Sequence, residues 1–457
     1  MFSKETYQAR RDVLKKQIGS GILLFLGNDE MGLNYADNCF RYRQDSTFLY
    51  YFGLSAPELS AIIDIDNDQE IIFGDELSID AIVWMGTQPT LKEKAEQVGV
   101  QTVLPLSALS DTLKRAEAQG QTVHFLPPYR PEHRIKLLEW LGIPLGKQEG
   151  SIPFIRAVVA QRSIKTDEEI VEIERACDIT ADMHIAAIRM LRPGMKEYEV
   201  AGALEAIAIG AGGDLSFPTI ATINGQTLHN HYHGNTVRSG DLFLLDAGAE
   251  TAMGYAGDMS STFPADTTFT PQQREIYLIQ NAMHRAAVEA LRPGIPYMEV
   301  YELTARIAVD GLKALGLMKG NTDDAVREGA YAMFYPHGLG HMMGLDVHDM
   351  ENLGEIWVGY DGKPKSTMFG RKSQRLAREL EPGFVLTVEP GIYFIPELMD
   401  KWRAEKKHLD FLCYDRMETY KGFGGIRNEE DYLITATGAR RLGKRIPLTP
   451  EEVEALR

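Results

Sequence analysis

Apolar positions in the first third of the chain fall into short runs, GILLFLG (21–27), LSAIIDID (59–66) and QEIIFG (69–74), bounded by glycine, charged or amide residues. Runs of this length, rich in Ile and Phe, read as strands. Around them the period becomes helical, in the basic amphipathic opening MFSKETYQARRDVLKKQ and again in LPLSALSDTLKRAEAQG (104–120). The expectation for this part is an α/β unit. Between Arg162 and Asp167 the text changes to a long helical run in which Thr166 or Asp167 can cap, with Glu168 and Glu169 placed favourably in the first turn. A domain boundary is set there, giving residues 1–162 and 163–457.

The second part contains a repeat. LRPGMKEYEV starts at Leu191 and LRPGIPYMEV at Leu291, an offset of 291 − 191 = 100 residues, and in each Pro-Gly stops one helix while an acidic-aromatic stretch opens the next. A duplicated helix–helix unit is expected, with a site between the two halves. DLFLLDAGAE (241–250), GYAGDMSSTF (254–263), GFVLTVEPGIYF (383–394) and GGIRNEEDYLIT (424–435) read as Gly-bounded strands, so this part is α+β.

Potential metal ligands sit in those strand-like segments: Asp246, Asp258, Glu389 and Glu429, joined by His341 from PHGLGHMMGLDVHD, where His337, His341 and His348 lie among glycines. Carboxylates crowded together repel by several kcal/mol, so the set makes physical sense around cations. Asp246 and Asp258 flank the turn-prone TAMG and are expected to face one another across an antiparallel pair, within about 5 Å. Glu430 competes with Glu429, because neighbouring strand residues point to opposite faces and only one of them can enter a site. Oxygen ligands with one imidazole favour Mn²⁺, Co²⁺ or Fe²⁺, with Zn²⁺ possible. Two such ions about 3.5 Å apart would bridge and activate a water, which is hydrolysis without a protein nucleophile. No Gly-x-Ser-x-Gly elbow, phosphate loop or dinucleotide fingerprint competes.

A formal net charge of −17 argues against nucleic acid or an anionic membrane as the main partner. Cys39, Cys177 and Cys413 lie far apart, outside metal-binding or redox spacing, which suits a reducing compartment. The charged start is unlike a signal peptide and no apolar run reaches membrane-span length, so a cytoplasmic location is expected.

In LLDAGAE, GYAGDMSSTFP, HGLGHMMGLDVHD, VLTVEPGIYF, GGIRNEED and, further upstream, FRYRQDSTFLYYFGL, the chain resembles the proline-specific branch of the pita-bread metallopeptidases over nearly its whole length. The resemblance implies a non-catalytic α/β N-terminal domain, an α+β pita-bread catalytic domain with an internal pseudo-twofold repeat, and two divalent ions held by Asp246, Asp258, His341, Glu389 and Glu429, Mn²⁺ foremost. It implies that Glu389 also manages the proton of the bridging water, that His348 steadies the tetrahedral intermediate, and that Arg427 supports the metals. A further histidine before Asp246 is implied: ungapped spacing gives His229, taken as catalytic, and a His-Tyr match gives His231, taken as substrate-binding, with His233 the third in that stretch. His337, Tyr393 and Arg427 are also placed with substrate. Arg375 falls on the arginine that holds a dipeptide carboxylate, its bland alternative being a solvated helix residue. The implied reaction is hydrolysis of the Xaa-Pro bond of dipeptides. The alternatives are an aminopeptidase acting on longer Xaa-Pro peptides and a metal-free binding module. A homodimer is implied as well, in which the aromatic run from Phe40 to Phe52 would suit subunit packing, with core burial as its ordinary explanation.

Overall fold

The computed structural model describes every residue, Met1–Arg457, and its backbone groups into two units. One comprises Met1–Arg162 with Glu351–Trp357, the other Ser163–Met350 with Val358–Arg457. A simple division at residue 162 leaves the short stretch Glu351–Trp357 with the second part, whereas the fold groups it with the first.

In the first unit, helix α1 (Lys4–Ile18) starts where the Ser3 side chain accepts the Thr6 N–H. Strands β1 (Ile22–Leu26), β2 (Ser60–Asp64), β3 (Gln69–Phe73), β4 (Thr102–Leu104) and β5 (Val123–His124) form one sheet in the order β4-β3-β2-β1-β5. The three central strands pair antiparallel and the two outer ones join parallel. Side chains alternate across such a sheet. Ile22, Leu24, Ile62 and Phe73 therefore pack with Leu109, Leu113 and Leu137, while the Phe25 ring stands 5.1–5.3 Å from those of Tyr51, Phe52 and Phe154. Most of the aromatic run is thus core: Phe48, Tyr50, Tyr51 and Phe52, on helix α2 (Ser46–Phe52), are buried and only its start at Phe40 is exposed.

The second unit contains two helix pairs. Helix α3 (Asp167–Met190) opens with a capping box between Thr166 and Glu169 and is followed by α4 (Glu197–Gly210); α5 (Pro271–Ala290) opens with the same device between Thr270 and Gln273 and is followed by α6 (Tyr297–Ala314). Both pairs break at Pro-Gly, where Gly194 and Gly294 adopt φ of 97° and 80°, values that favour glycine. Each break is tied to the irregular segment that leads into a central strand: Gly194 N–H donates to Val237 O, ahead of Leu242–Ala247, and Gly294 N–H to Leu380 O, ahead of Val385–Val388, both at 2.8 Å.

That correspondence extends to the strands. β6 (Ile220–Thr222), β7 (Leu242–Ala247) and β8 (Met259–Pro264) form an antiparallel sheet centred on β7. β9 (Val385–Val388) pairs antiparallel with β12 (Glu430–Ile434), β12 pairs with β13 (Ala439–Arg441), and β10 (Gly391–Tyr393) pairs with β11 (Gly425–Arg427). From Val237 to Leu380 is 380 − 237 = 143 positions, and the same shift carries Asp246 to Glu389. Asp246 pairs with Ser260, and continuing the Val388↔Glu430 register brings Glu389 opposite Glu429. Ser260 and Glu429 are therefore equivalent positions, and they bridge each other, with Glu429 N–H donating to Ser260 O at 3.0 Å. The pseudo-twofold axis passes between them.

Candidate metal centre

Buried apolar residues Leu242–Leu245 fix β7 in the core, and Asp246 follows at its end. The register corrects the expected pairing of the two aspartates: Asp246 lies opposite Ser260, and Asp258, which precedes β8, is offset by two residues on the same strand face. The turn between the strands does not by its length fix that register, so sequence spacing alone misjudged it. At Gly257 an added Cβ would come within 2.9 Å of the backbone of Ala176 and Cys177, so glycine lets the chain pass α3 just before Asp258. Asp258 N–H then donates to Asp431 Oδ2 at 3.0 Å, an oxygen that also receives the Cys177 thiol at 3.1 Å.

His341 lies on an irregular segment running beside β9, where Thr387 N–H donates to His341 O at 3.1 Å and Glu389 N–H to Leu339 O at 2.8 Å. Its Nδ1 is 3.0 Å from Met342 O, a contact that needs the proton on Nδ1 and turns the Nε2 lone pair toward the carboxylates, an arrangement that suits a cation between them. Nε2 is 3.3 Å from Asp258 Oδ2 and 3.8 Å from Glu389 Oε1. Ligand atoms of Asp258, His341 and Glu429 all lie within 4.8 Å of one another. Asp246, Asp258, His341, Glu389 and Glu429 line one cavity of about 320 Å³.

The electrostatics of this cluster call for positive charge. Burial, and then the neighbouring acids, hold the Asp258 and Glu429 carboxyls well above the ordinary range. Burial likewise pushes Glu389 up to about 7, against the pull of His341 and Arg427. Asp246 Oδ1 and Asp258 Oδ1 are buried with no protein hydrogen-bond partner. Unpaired carboxylate oxygens converging with an imidazole lone pair fit divalent cations with oxygen and nitrogen ligands.

Arg427 orders the wall. Its Nη2 donates to Asp246 Oδ2 at 2.6 Å and its Nε to Ser260 Oγ at 3.0 Å, and Ser260 Oγ donates onward to Glu429 Oε2 at 2.7 Å. Its Nη1 donates to Tyr393 Oη at 2.7 Å, leaving the Tyr393 hydroxyl to donate to His337 Nε2 at 2.9 Å while His337 Nδ1–H donates to Gly338 O at 2.7 Å. Burial, then Arg427, lowers the His337 pKa to about 3, consistent with this neutral tautomer.

His229, His231, His348 and Arg375 line the same cavity, with the His348 ring centroid 4.2 Å from that of His341. Arg375 is not a helical residue: it follows a 3₁₀ turn at Arg371–Ser373. His233 instead contacts Thr219 O through Nε2 at 3.0 Å. Glu430 points to the other face of β12, accepting the Tyr432 hydroxyl at 2.7 Å with His284 Nε2 4.0 Å away. Sequence reasoning overlooked Ser260 and the apolar wall of Phe217, Pro218, Ile220, Leu228 and Val347. Ser260 carries a faint signal, since alternation from Asp258 puts residue 260 on the same face.

Comparison with known proteins adds an independent line. The model of metallopeptidase family M24 matches residues 171–436, and that of the aminopeptidase P N-terminal domain matches residues 7–124. The chain is 34% identical to the Xaa-Pro aminopeptidase of Escherichia coli, covering 99% of this chain and 98% of that protein. It is 31% identical to the Xaa-Pro dipeptidase of Homo sapiens, covering 96% and 89%. Among solved structures, E. coli aminopeptidase P with the inhibitor Pro-Leu superposes with a TM-score of 0.82 at 32% identity, covering 100% of this chain and 98% of that one. Proline aminopeptidase P II from Yersinia pestis gives 0.81 at 30% identity, covering 100% and 99%.

Proposed function

The chain belongs to metallopeptidase family M24, and from that premise we propose that it hydrolyses the bond before proline in Xaa-Pro dipeptides. Asp246, Asp258, His341, Glu389 and Glu429 would hold two divalent ions, Mn²⁺ being the preferred pair. Bound there, the ions supply an activated water and polarise the carbonyl it attacks.

The protein's own groups do the rest. Glu389 is the base that takes the water's proton and returns it to the departing proline nitrogen. His348 and His229 donate hydrogen bonds to the substrate carbonyl as it becomes tetrahedral. Burial and the Arg427 charge depress the His229 pKa, which keeps that ring a neutral donor. His337, Tyr393 and His231 orient the substrate, and Arg427 keeps Asp246 in place. Residues 163–457 are the catalytic part and 1–162 the non-catalytic one.

The observation that carries the dipeptide reading is Arg375 lining the same cavity as the acids. A fixed guanidinium suits the free carboxylate of a C-terminal proline, and a longer peptide offers none at that place. The test is release of alanine from Ala-Pro and Ala-Pro-Ala by protein loaded with Mn²⁺, Co²⁺ or Zn²⁺. Arg375→Met should raise KM for Ala-Pro at least tenfold, about the value of one charged hydrogen-bonded pair, and leave Ala-Pro-Ala within about twofold. Equal losses on both substrates would remove Arg375 from carboxylate binding. A second reading, aminopeptidase action on longer Xaa-Pro peptides, is favoured by the E. coli match over nearly both whole lengths. Efficient cleavage of Ala-Pro-Ala by the wild type would select it.

A cytoplasmic homodimer completes the proposal. No helix is long and apolar enough to cross a membrane. Helix Ile79–Met85 has no buried residue and leaves Trp84 87% exposed, as a surface awaiting a second copy would.

A further inference from the structure

We propose that the buried ion pair between Lys165 and Asp349 is a positioning device for His348, an inference that rests on the catalytic reading of the cavity above. Lys165 Nζ lies 2.8 Å from Asp349 Oδ2, and both side chains are 1% exposed. Removing two charges from water costs nearly as much as their attraction returns, so such a pair is a poor source of stability. What it supplies is geometry, and both ends are built for that.

Lys165 stands on fixed backbone. Its N–H donates to Gly383 O at 2.9 Å, and the next residue, Thr166, caps α3. Asp349 is the residue after His348, in a loop from His341 that has no regular secondary structure of its own. Its N–H donates to Met342 O at 2.9 Å, beside His341, and its Oδ1 accepts the Asp346 N–H at 3.4 Å. One carboxylate therefore shapes the loop that carries both imidazoles. The fit is close: a Cβ at Gly344 would lie 2.8 Å from both Asp349 Oδ2 and Lys165 Cε. Without the ammonium the loop keeps its backbone closure but loses the anchor that sets where residue 348 stands, and a misplacement of about 1 Å at a catalytic group costs up to a hundredfold in rate.

The test replaces the pair by apolar groups, K165M/D349L, an exchange that is often neutral or stabilising for a buried pair. D349N, which keeps volume and the acceptor for Asp346, is made alongside and stands in if the double variant does not fold. Metal-loaded proteins are assayed on Ala-Pro and Ala-Pro-Ala, each variant with and without H348A. The expected result is a fall in kcat of about tenfold to a hundredfold with little change in KM, and, in the H348A background, a kcat no lower than that of H348A alone. Losses that multiply, or a kcat equal to wild type, would overturn the proposal. An activity-independent arm uses ¹⁵N-histidine labelling, with the His348 and His229 ring signals identified by their disappearance in H348A and H229A. The His348 signal should shift or broaden and the His229 signal stay; an unmoved His348 signal would overturn the proposal. If the wild type cleaves no Xaa-Pro peptide, the peptidase reading falls while this spectroscopic arm still decides the role of the ion pair.

Discussion

Asp246, Asp258, Glu389 and Glu429 face one cavity, and only Asp246 has a guanidinium directly on its carboxylate. The uncompensated charge is held against the fold, so stability and chemistry oppose one another at single residues. Asp258→Asn should abolish activity and metal uptake yet stabilise the protein in chelator by about 1–3 kcal/mol, read from urea midpoints. The sign with pH follows from the raised carboxyl of Asp258. Between the unfolded and folded pKa the native state binds the extra proton, so its wild-type penalty is full at high pH and fades as pH falls. The gain from Asn should therefore shrink as the buffer is acidified. Ser260→Ala removes the link between Arg427 and Glu429; metal affinity measured by calorimetry should fall about tenfold to a hundredfold, the usual effect of losing an outer hydrogen bond to a ligand.

At the scale of elements, the repeat leaves its mark in two buried histidines. His184 on α3 and His284 on α5 are 284 − 184 = 100 positions apart, and burial lowers each pKa to about 4. His184 is held by Ser261 Oγ at 2.9 Å and Ala247 O at 3.0 Å, whereas His284 faces Glu430, the residue equivalent to Ser261. A histidine depressed below its unfolded value of about 6.5 keeps the native state proton-poor, so its stability contribution is present above that value and is lost as pH falls toward 4. Each should remove on the order of 3 kcal/mol across that window. Urea melts from pH 7 to 4 should show the loss, with His184→Gln reducing its slope. The elements themselves were legible: β1, β2, β3 and β7 came from apolar runs, α3 from end signals that left Thr166 and Asp167 as alternative caps, and the Glu429–Glu430 alternatives from strand alternation. What stayed hidden depends on pairing. Ser260 meets Glu429 across 169 positions and Lys165 meets Asp349 across 184, and nothing local in the sequence records such partners. The Asp246–Asp258 register failed for the same reason.

For the molecule as a whole, the exposed helix Ile79–Met85 sets the expectation for assembly. On the proposed dimer, Trp84→Glu should lower the mass in light scattering toward that of a monomer, and an unchanged mass would exclude this helix from the interface. The pseudo-twofold axis between Ser260 and Glu429 has a practical side. Asp246 and Asp258 belong to the chain before Pro264, and His341, Glu389 and Glu429 to the chain after it, with Thr267 and Thr268 exposed in the connection. A break placed there yields two polypeptides, neither holding enough donors to bind metal tightly. Mixed, they should regain peptidase activity only as they recombine, which makes the enzyme a split reporter whose turnover counts the reunited pairs.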